Sequence, residues 1–504
     1  MEEPPSRIRY FLLPLVLLCL TINWANILIF NFTVICMEPR SEPSNAALVH
    51  PDSPNTWSAN IINPDLFIAL VPQVSPISAD SFPEREWSSA EKDQAMGLAA
   101  VGALLANFPI VTIINYYGPR YVFTAVGLLG AFSTALIPTM LRWGFYWFLA
   151  ARVLQGIAFA GDMATFGHFI TYWTSREQYA FFTATLCVYV QLAPIFSDPI
   201  SGIICESHFG WAGVYYLHSL ITVVLFATFF ICYRNHPAQH PFVNELERLQ
   251  IASGKDEADL KMVQRNVPYR DILSSTAVWA VFIGAIGNYA GINLILQFTP
   301  IYLNEAQKFN VQDTGFLSAL PPLLEALMKE FAGYFNDKIS PRILSEKKKT
   351  KIFNSIAFMS VALFLVVVTL VPEGHGMLSL AIFTVGAMLL GFNVGGFYKS
   401  GSLIAGPYAP FVMGQISTAL TIMLLVVPLI VNTLTPDGTP QQWATAFYVI
   451  AGIMVACNIF YVVFARGTPC YWATRDIHKQ KIFRSSLSVN PSSSAISSSA
   501  SSNA

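Results

Sequence analysis

The chain is 504 residues long, 54% hydrophobic and only 12% charged, and its 29 basic and 30 acidic side chains leave a net charge of −1. Soluble domains average roughly 25% charged residues, so a water-soluble globule is excluded. With no basic excess, no nucleic-acid partner is expected.

The first apolar run, Tyr10 to Cys36, follows Arg7 and Arg9. It is longer than the roughly 7–15 residue core of a signal peptide and lacks a clean small-residue cleavage site. It is also long enough to cross a bilayer, which takes roughly 20 apolar residues, so it reads as a retained first span. Asn31-Phe-Thr33 matches a glycosylation sequon but lies inside this run, and no modification is expected there. After a long loop rich in Asp and Glu, Glu38 to Asp93, further apolar runs fall near 96–114, 121–141, 145–172, 180–203 and 212–232. A second set falls near 275–302, 313–335, 352–371, 377–398, 410–432 and 443–465, giving six runs in each half. Between the sets lies a polar stretch whose mixed-charge segment NELERLQIASGKDEADLKMVQR reads as a solvated surface helix or flexible linker. The tail after Arg484 is almost all Ser, Asn and Ala and cannot bury a core.

The pattern predicts an all-α membrane protein with twelve transmembrane helices in two six-helix bundles. The expected domains are 1–232, containing the extracytoplasmic loop 38–93; a cytoplasmic linker at 233–273; a second bundle at 274–466; and a disordered Ser-rich tail at 467–504. Basic residues near spans favour the cytoplasmic side. Arg7, Arg9, the cluster Arg342, Lys347, Lys348, Lys349 and Lys351, and the tail bases Arg475, Lys479, Lys481 and Arg484 all fall on one side of a twelve-span path. Both termini are therefore expected in the cytoplasm, in a plasma membrane or an endo-lysosomal or vesicular membrane.

The seven cysteines show no CxxC pairing and mostly lie in apolar runs, so neither a disulfide framework nor a metal site is expected. No nucleophile motif or phosphate loop is present, so enzymatic activity and cofactors are not expected either.

Ionisable groups at membrane depth cost several kcal/mol unless they meet a cavity or a partner, which makes each a functional candidate. Arg152, in ARVLQG, lies about ten residues into the fourth span, roughly 15 Å deep at 1.5 Å per residue. A hub tying helices together and a contact to substrate or coupling ion are both open readings; Asp162 follows on the same span. In the eighth span Glu325 and Lys329 stand four apart on one helical face, beside Glu330. They form either a structural ion pair or one used in coupling or gating. His168 reads as a packing residue. Gly- or Pro-interrupted helices mark transporter binding sites. The candidates are QLAPIFSDPISG in the fifth span and GAIGNYAGINLILQFTP in the seventh, where Asn288, Tyr289, Asn293 and Gln297 form a polar stripe for a substrate or a neighbouring helix. The tenth span ends GFNVGGFYKSG, with four glycines, Asn393 and Lys399.

Several of these segments resemble the major facilitator superfamily, and within it the solute carrier 17 branch of anion transporters, the sialin, vesicular glutamate and sodium–phosphate cotransporter type. Arg152-Val-Leu-Gln155-Gly156 is similar to the superfamily's fourth-span RxxQG motif. Pro199 to Glu206 with Gly210-Trp211 and Tyr215-Tyr216, Leu317 to Pro321, and Gly391-Phe-Asn393 with Gly396-Phe397 resemble branch signatures. The loop motif Asn115-Tyr-Tyr-Gly118-Pro-Arg120 keeps its glycine and terminal base but loses its acid, while Gly333 to Asp337-Lys338 is better preserved. Where the branch carries an acid seven positions after the fourth-span Arg, this chain has Phe159; an Arg of the seventh span is Asn288, and the first span offers Asn26 and Asn31.

The resemblance implies a monomeric secondary transporter of a small organic anion or inorganic phosphate, working by alternating access and coupled to a proton or sodium gradient. Its expected substrate and coupling residues are Arg152, Asn288, Tyr289, Asn293, Gln297, Glu325, Lys329 and Asn393; Gly118, Arg120, Gln155, Gly156, Gly333 and Asp337 are expected at gating or structural motifs. Because the branch's anion-binding and coupling charges are mostly replaced, a membrane receptor or scaffold that keeps the fold without transport is the alternative.

Overall fold

The computed structural model describes residues 6–37, 86–175, 178–252, 268–339, 343–372 and 374–474. Most of the expected outer loop, half of the mixed-charge segment, Arg342 and the tail beyond Thr474 lie outside the described residues.

The first half consists of α1 (Ile8–Met37), α2 (Ser89–Tyr117), α3 (Pro119–Trp143), α4 (Phe145–Phe159), α5 (Asp162–Trp173), α6 (Tyr179–Cys187), α7 (Tyr189–Glu206) and α8 (Gly210–Cys232). The short α9 (Glu245–Ala252) and α10 (Tyr269–Leu273) connect it to the second half. That half holds α11 (Thr276–Glu305), α12 (Val311–Ser318), α13 (Leu320–Lys338), α14 (Glu346–Val368), α15 (Gly376–Leu390), α16 (Phe397–Ala405), α17 (Ala409–Leu434) and α18 (Pro440–Phe464). Four spans are broken in two: α4–α5, α6–α7, α12–α13, and α15–α16, the last through a 3₁₀ turn at Gly391–Gly395. Counted with these breaks, the described residues form six long helical stretches in each half.

Among the described residues, nine stretches are long and apolar enough to cross a bilayer. Large apolar side chains such as Phe108, Phe132, Leu363 and Val463 point outward and exposed, a surface that needs lipid rather than water around it. The first and seventh spans are the exceptions: 83% and 78% of their apolar stretches are buried, so α1 and α11 run through the middle of the molecule. Around α1 pack α7 and α8; around α11 pack α17 and α18; α2, α3 and α4 close the first half and α13, α14 and α15 the second. Gly156 sets the tightest of these contacts, since a Cβ there would come within 1.8 Å of Ala99 O. Small residues at such points let helices approach closely in lipid.

The start of α1 and the end of α18 lie on one face, here the terminal face; the other is the distal face. Distal helix starts are well capped: Ser88 with Glu91, and Thr439 with Gln442, form reciprocal capping boxes. On the terminal face, Gly118 takes a left-handed φ of 80° between α2 and α3. Asn235, just past α8, accepts from Arg120 N–H at 3.0 Å and donates to Tyr117 O.

Three expectations fail here, each for a physical reason. The seventh span is one continuous helix despite its glycines, because Gly287 and Gly291 serve packing: Cβ atoms there would meet Cys457 and Met454 of α18. The described part of the mixed-charge segment is the surface helix expected, α9, but one of its acids is not solvated. Glu247 is fully buried and accepts from Ile8 N at 3.0 Å, Arg9 N at 3.2 Å and Ser6 Oγ, filling the open donors at the start of α1. The tail does not begin at 467, since Cys470 N donates to Ile404 O at 3.0 Å and Trp472 and Ala473 are buried. Past the end of α8, where its Nε2 meets Cys232 O, burial holds the His240 imidazole below its ordinary range.

The expected absence of disulfides is also corrected: Cys36 at the end of α1 is bonded to Cys205 at the end of α7, with Cα atoms 6.1 Å apart. Spacing could not show a pair separated by 169 positions.

Candidate functional site

Arg152 lies on α4, fully buried. Its Nε donates to Ala95 O at 2.8 Å on α2, and its Nη1 donates to Ile27 O at 3.2 Å on α1 and to Gln155 Oε1 at 2.7 Å. The guanidinium carbon stands 5.1 Å over the Phe30 ring. Gln155 Nε2 in turn donates to Asn26 O and to Thr134 Oγ1 on α3. All these partners belong to the first half. Of the two open readings of Arg152, the hub tying helices together is the one these bonds match: the planar fork is taken up by main-chain carbonyls of α1 and α2 and by Gln155. Gly156, four residues after Arg152, allows the α2–α4 approach that this requires.

The remaining expected residues divide. Asn288, Tyr289, Asn293 and Gln297 all lie buried on α11. Positions 289, 293 and 297 share one face at a spacing of four, and a chain of bonds runs along it. Asn293 Nδ2 donates to Tyr289 O at 2.9 Å, Gln297 Nε2 to Asn293 Oδ1 at 3.1 Å, and Asn31 Nδ2 on α1 to Gln297 Oε1 at 3.4 Å. Tyr289 Oη shares a bond with Tyr398 Oη on α16 at 2.8 Å. Asn393, in the 3₁₀ turn, donates to Asn288 Oδ1 at 2.6 Å.

Glu325 and Lys329 form the ion pair that their spacing predicts, at 3.0 Å, with Glu325 fully buried. Gln191 on α7 donates to Glu325 Oε1 at 3.1 Å, so the pair is tied across from the first half to the second. Gly391 holds the other side, because a Cβ there would lie 2.8 Å from Lys329 N and 2.9 Å from Glu325 O. The 3₁₀ turn of the tenth span thus lies directly against the turn carrying both charges.

Gln191, Tyr398 and Asn31 are not among the expected site residues, although each lies in a stretch the sequence marks: Gln191 opens QLAPIFSDPISG, Tyr398 stands in GFNVGGFYKSG, and Asn31 is a polar residue inside the first apolar run. In this layer Gln191 Oε1, Glu325 Oε2, Asn31 Oδ1, Asn288 Nδ2, Asn393 Oδ1 and the Tyr189 hydroxyl have no protein partner. Buried polar atoms are nearly always bonded, so a layer with this many open donors and acceptors suits a polar ligand. The motif glycine Gly333 meets nothing within 4 Å, and the side chain of Asp337 lies outside the described residues.

From this layer to the distal face the halves are joined. Lys92 pairs with Glu305 at 3.0 Å, Asn432 Nδ2 donates to Asp93 Oδ1 at 2.8 Å, Ser318 Oγ to Asp198 Oδ2 at 3.0 Å, and Gln312 N to Glu206 Oε1 at 3.3 Å. The bases Lys347, Lys348 and Lys349 lie on the opposite, terminal face at the start of α14.

Residues 55–428 match the family described as Major Facilitator Superfamily. Human sialin is 29% identical over 398 residues, covering 78% of this chain and 79% of that protein. Human sodium-dependent phosphate transport protein 1 is 26% identical, over 79% of this chain and 84% of its own length. A putative inorganic phosphate cotransporter of Drosophila melanogaster is 25% identical, over 81% and 78%. Among solved structures, a D-xylose–proton symporter superposes with a TM-score of 0.63 at 10% identity, covering 91% of this chain and 98% of that one. An inward-facing, occupied bacterial homolog of the human lysosomal transporter Spinster gives 0.62 at 13%, covering 92% and 98%. At such identities the likeness shows the fold alone.

Proposed function

The chain belongs to the Major Facilitator Superfamily, and on that premise we propose that it carries a small organic anion or inorganic phosphate across a membrane by alternating access, coupled to a proton or sodium gradient. It is a secondary transporter and not an enzyme. The observation that carries the cargo reading is the Glu325–Lys329 pair with its bond to Gln191 across the halves. Lys329 is the cation of the central layer, Arg152 being engaged inside the first half. An anion that displaces Glu325 from Lys329 gains a charge-assisted bond, and the open amide and hydroxyl groups of the layer complete its shell. The names of the sodium-dependent phosphate transport protein and the inorganic phosphate cotransporter among the relatives support the same class of cargo.

Two independent features support the proposed sidedness. Disulfides form in oxidising compartments, and Cys36–Cys205 lies at the distal face; basic clusters favour the cytoplasm, and Lys347–Lys349 lie at the terminal face. The termini are then cytoplasmic and the distal face extracellular or lumenal.

The test is uptake by the purified chain in liposomes, with inorganic phosphate and glucuronate as separate labelled probes under an imposed proton or sodium gradient. Accumulation of either probe above equilibrium is expected. Binding of both without flux under any gradient would overturn the reading in favour of a receptor.

A further inference from the structure

Among the described residues, three buried carboxylates lie within the spans away from either end, and they differ in their partners. Glu325 has a cation, Lys329. Asp162 has only Asn23, whose Nδ2 donates to it at 2.8 Å, and both residues belong to the first half. Asp198 is 3% exposed and lies at the seam between the halves. Ser197 on its own helix donates to Oδ1 at 3.4 Å, and Ser318 on α12 donates to Oδ2 at 3.0 Å.

The seam at this point is the backbone contact of α7 with α12. A Cβ on Gly315 would lie 2.7 Å from Asp198 O, and one on Gly202 would lie 3.2 Å from Val311 O. Separation of the halves at the distal face must therefore uncover Asp198, whereas the surroundings of Asp162 stay within one half. Among the described side chains, the charged and titratable groups on the helices packed around α7 are Arg9, Tyr10 and Cys19 on α1; Tyr215, Tyr216, His218 and Cys232 on α8; Asp313 on α12; Glu325, Lys329, Glu330, Tyr334 and Lys338 on α13; and Tyr289, Tyr302 and Glu305 on α11, with Tyr189 and Glu206 on α7 itself. His218 Nδ1 is paired with Val214 O, and Lys329 with Glu325. Among the described residues no cation bonds to Asp198, and the other charged residues on its own and the facing helix, Glu206 and Asp313, are acidic.

We propose that Asp198 is a proton-binding latch: protonation from the distal side lets the halves close over it, and its ionisation opens them. Burial away from water and without a cation disfavours the charged carboxylate, while in the separated state water can solvate it. The proton comes from distal water and forms one O–H bond on an Asp198 oxygen. The Ser318 hydroxyl rotates to accept from it, and the proton returns to water when the latch reopens. Acid at the distal face thus favours the closed seam described above. The inference deepens the transport reading by selecting the proton as the ion that moves the halves.

The experiment measures the seam and not flux. Spin labels are placed through cysteines introduced at the exposed positions His208 and Lys308 of the full chain in lipid nanodiscs, and the distance distribution is followed from about pH 5 to about pH 8. In the otherwise native chain the closed-to-open ratio is expected to fall about tenfold over that range. In Asp198→Asn, a neutral mimic of the protonated acid, the seam is expected to stay closed throughout. Ser318→Ala keeps the pH response but moves its midpoint to lower pH, because closure loses a bond. A pH-independent native chain, an Asp198→Asn variant that follows the native profile, or an unshifted Ser318→Ala midpoint would each overturn the latch. Since no cargo is involved, failure of the latch leaves the transport reading standing, and absence of transport leaves this distance measurement interpretable.

Discussion

The two polar clusters of this protein, one around Arg152 and one around Glu325 and Lys329, have similar burial and opposite character. Around Arg152 the described donors end on carbonyls of α1 and α2 or on Gln155, within one half of the molecule. Around Glu325 an ion pair reaches across the halves through Gln191, and Glu325 Oε2 and Gln191 Oε1 are left open. A closed network inside one rigid body holds that body together, whereas an open one at a moving boundary is available to a ligand. Charge at membrane depth does not by itself distinguish the two; the destination of each hydrogen bond does.

This contrast can be broken most directly at Arg152. Removing it leaves Gln155 Oε1 without its donor, takes the second, inter-helix bond from Ala95 O and Ile27 O and unties three helices, and each bond to a charged group is worth roughly 1.5–3 kcal/mol. Arg152→Ala is therefore expected to lower stability by about 4 kcal/mol, read as thermal unfolding of the purified protein. Arg152→Lys should not rescue it, because an ammonium cannot reproduce the fork. A variant that unfolds like the native chain but fails to transport would return Arg152 to the cargo path.

At the other cluster the order of effects reverses. Lys329→Gln is expected to cut gradient-driven uptake about 100-fold, equivalent to roughly 2.7 kcal/mol, with a smaller change in stability. If Lys329→Gln instead unfolds the chain to the extent that Arg152→Ala does, the contrast between the clusters disappears. The smallest expected effect is at Gln191→Leu, which removes one neutral-donor bond to Glu325 and should slow uptake by roughly fivefold, about 1 kcal/mol. A larger loss there would mean that Gln191 itself holds cargo.

Much of this architecture was legible before any coordinates. Lipid imposes long apolar helices, so the spans and their six-plus-six division follow from hydropathy, and helical periodicity placed Glu325 next to Lys329 and aligned Tyr289, Asn293 and Gln297. Other features depend on three-dimensional packing that no local pattern encodes. The break at Val188 occurs at an ordinary residue and Pro194 and Pro199 are carried inside an intact helix, whereas the break at Ala319 does have a local signal in Pro321 and Pro322, which cannot donate to the preceding turn. The Cys36–Cys205 bond joins two spans that adjoin only after folding, and Glu247 meets the start of α1 across more than two hundred residues. The role of Arg152 was open for the same reason: its motif marks the residue but not the carbonyls of α1 and α2 that it meets.

The central claim, that the Glu325–Lys329 pair between the halves is the working centre of the transporter, is tested most directly by Glu325→Gln in liposomes. Exchange of labelled probe across the bilayer without a gradient is compared with accumulation against one, using whichever probe the native chain takes up. The account predicts that exchange persists while accumulation is lost. Accumulation at the native level, with Glu325 replaced, would contradict it.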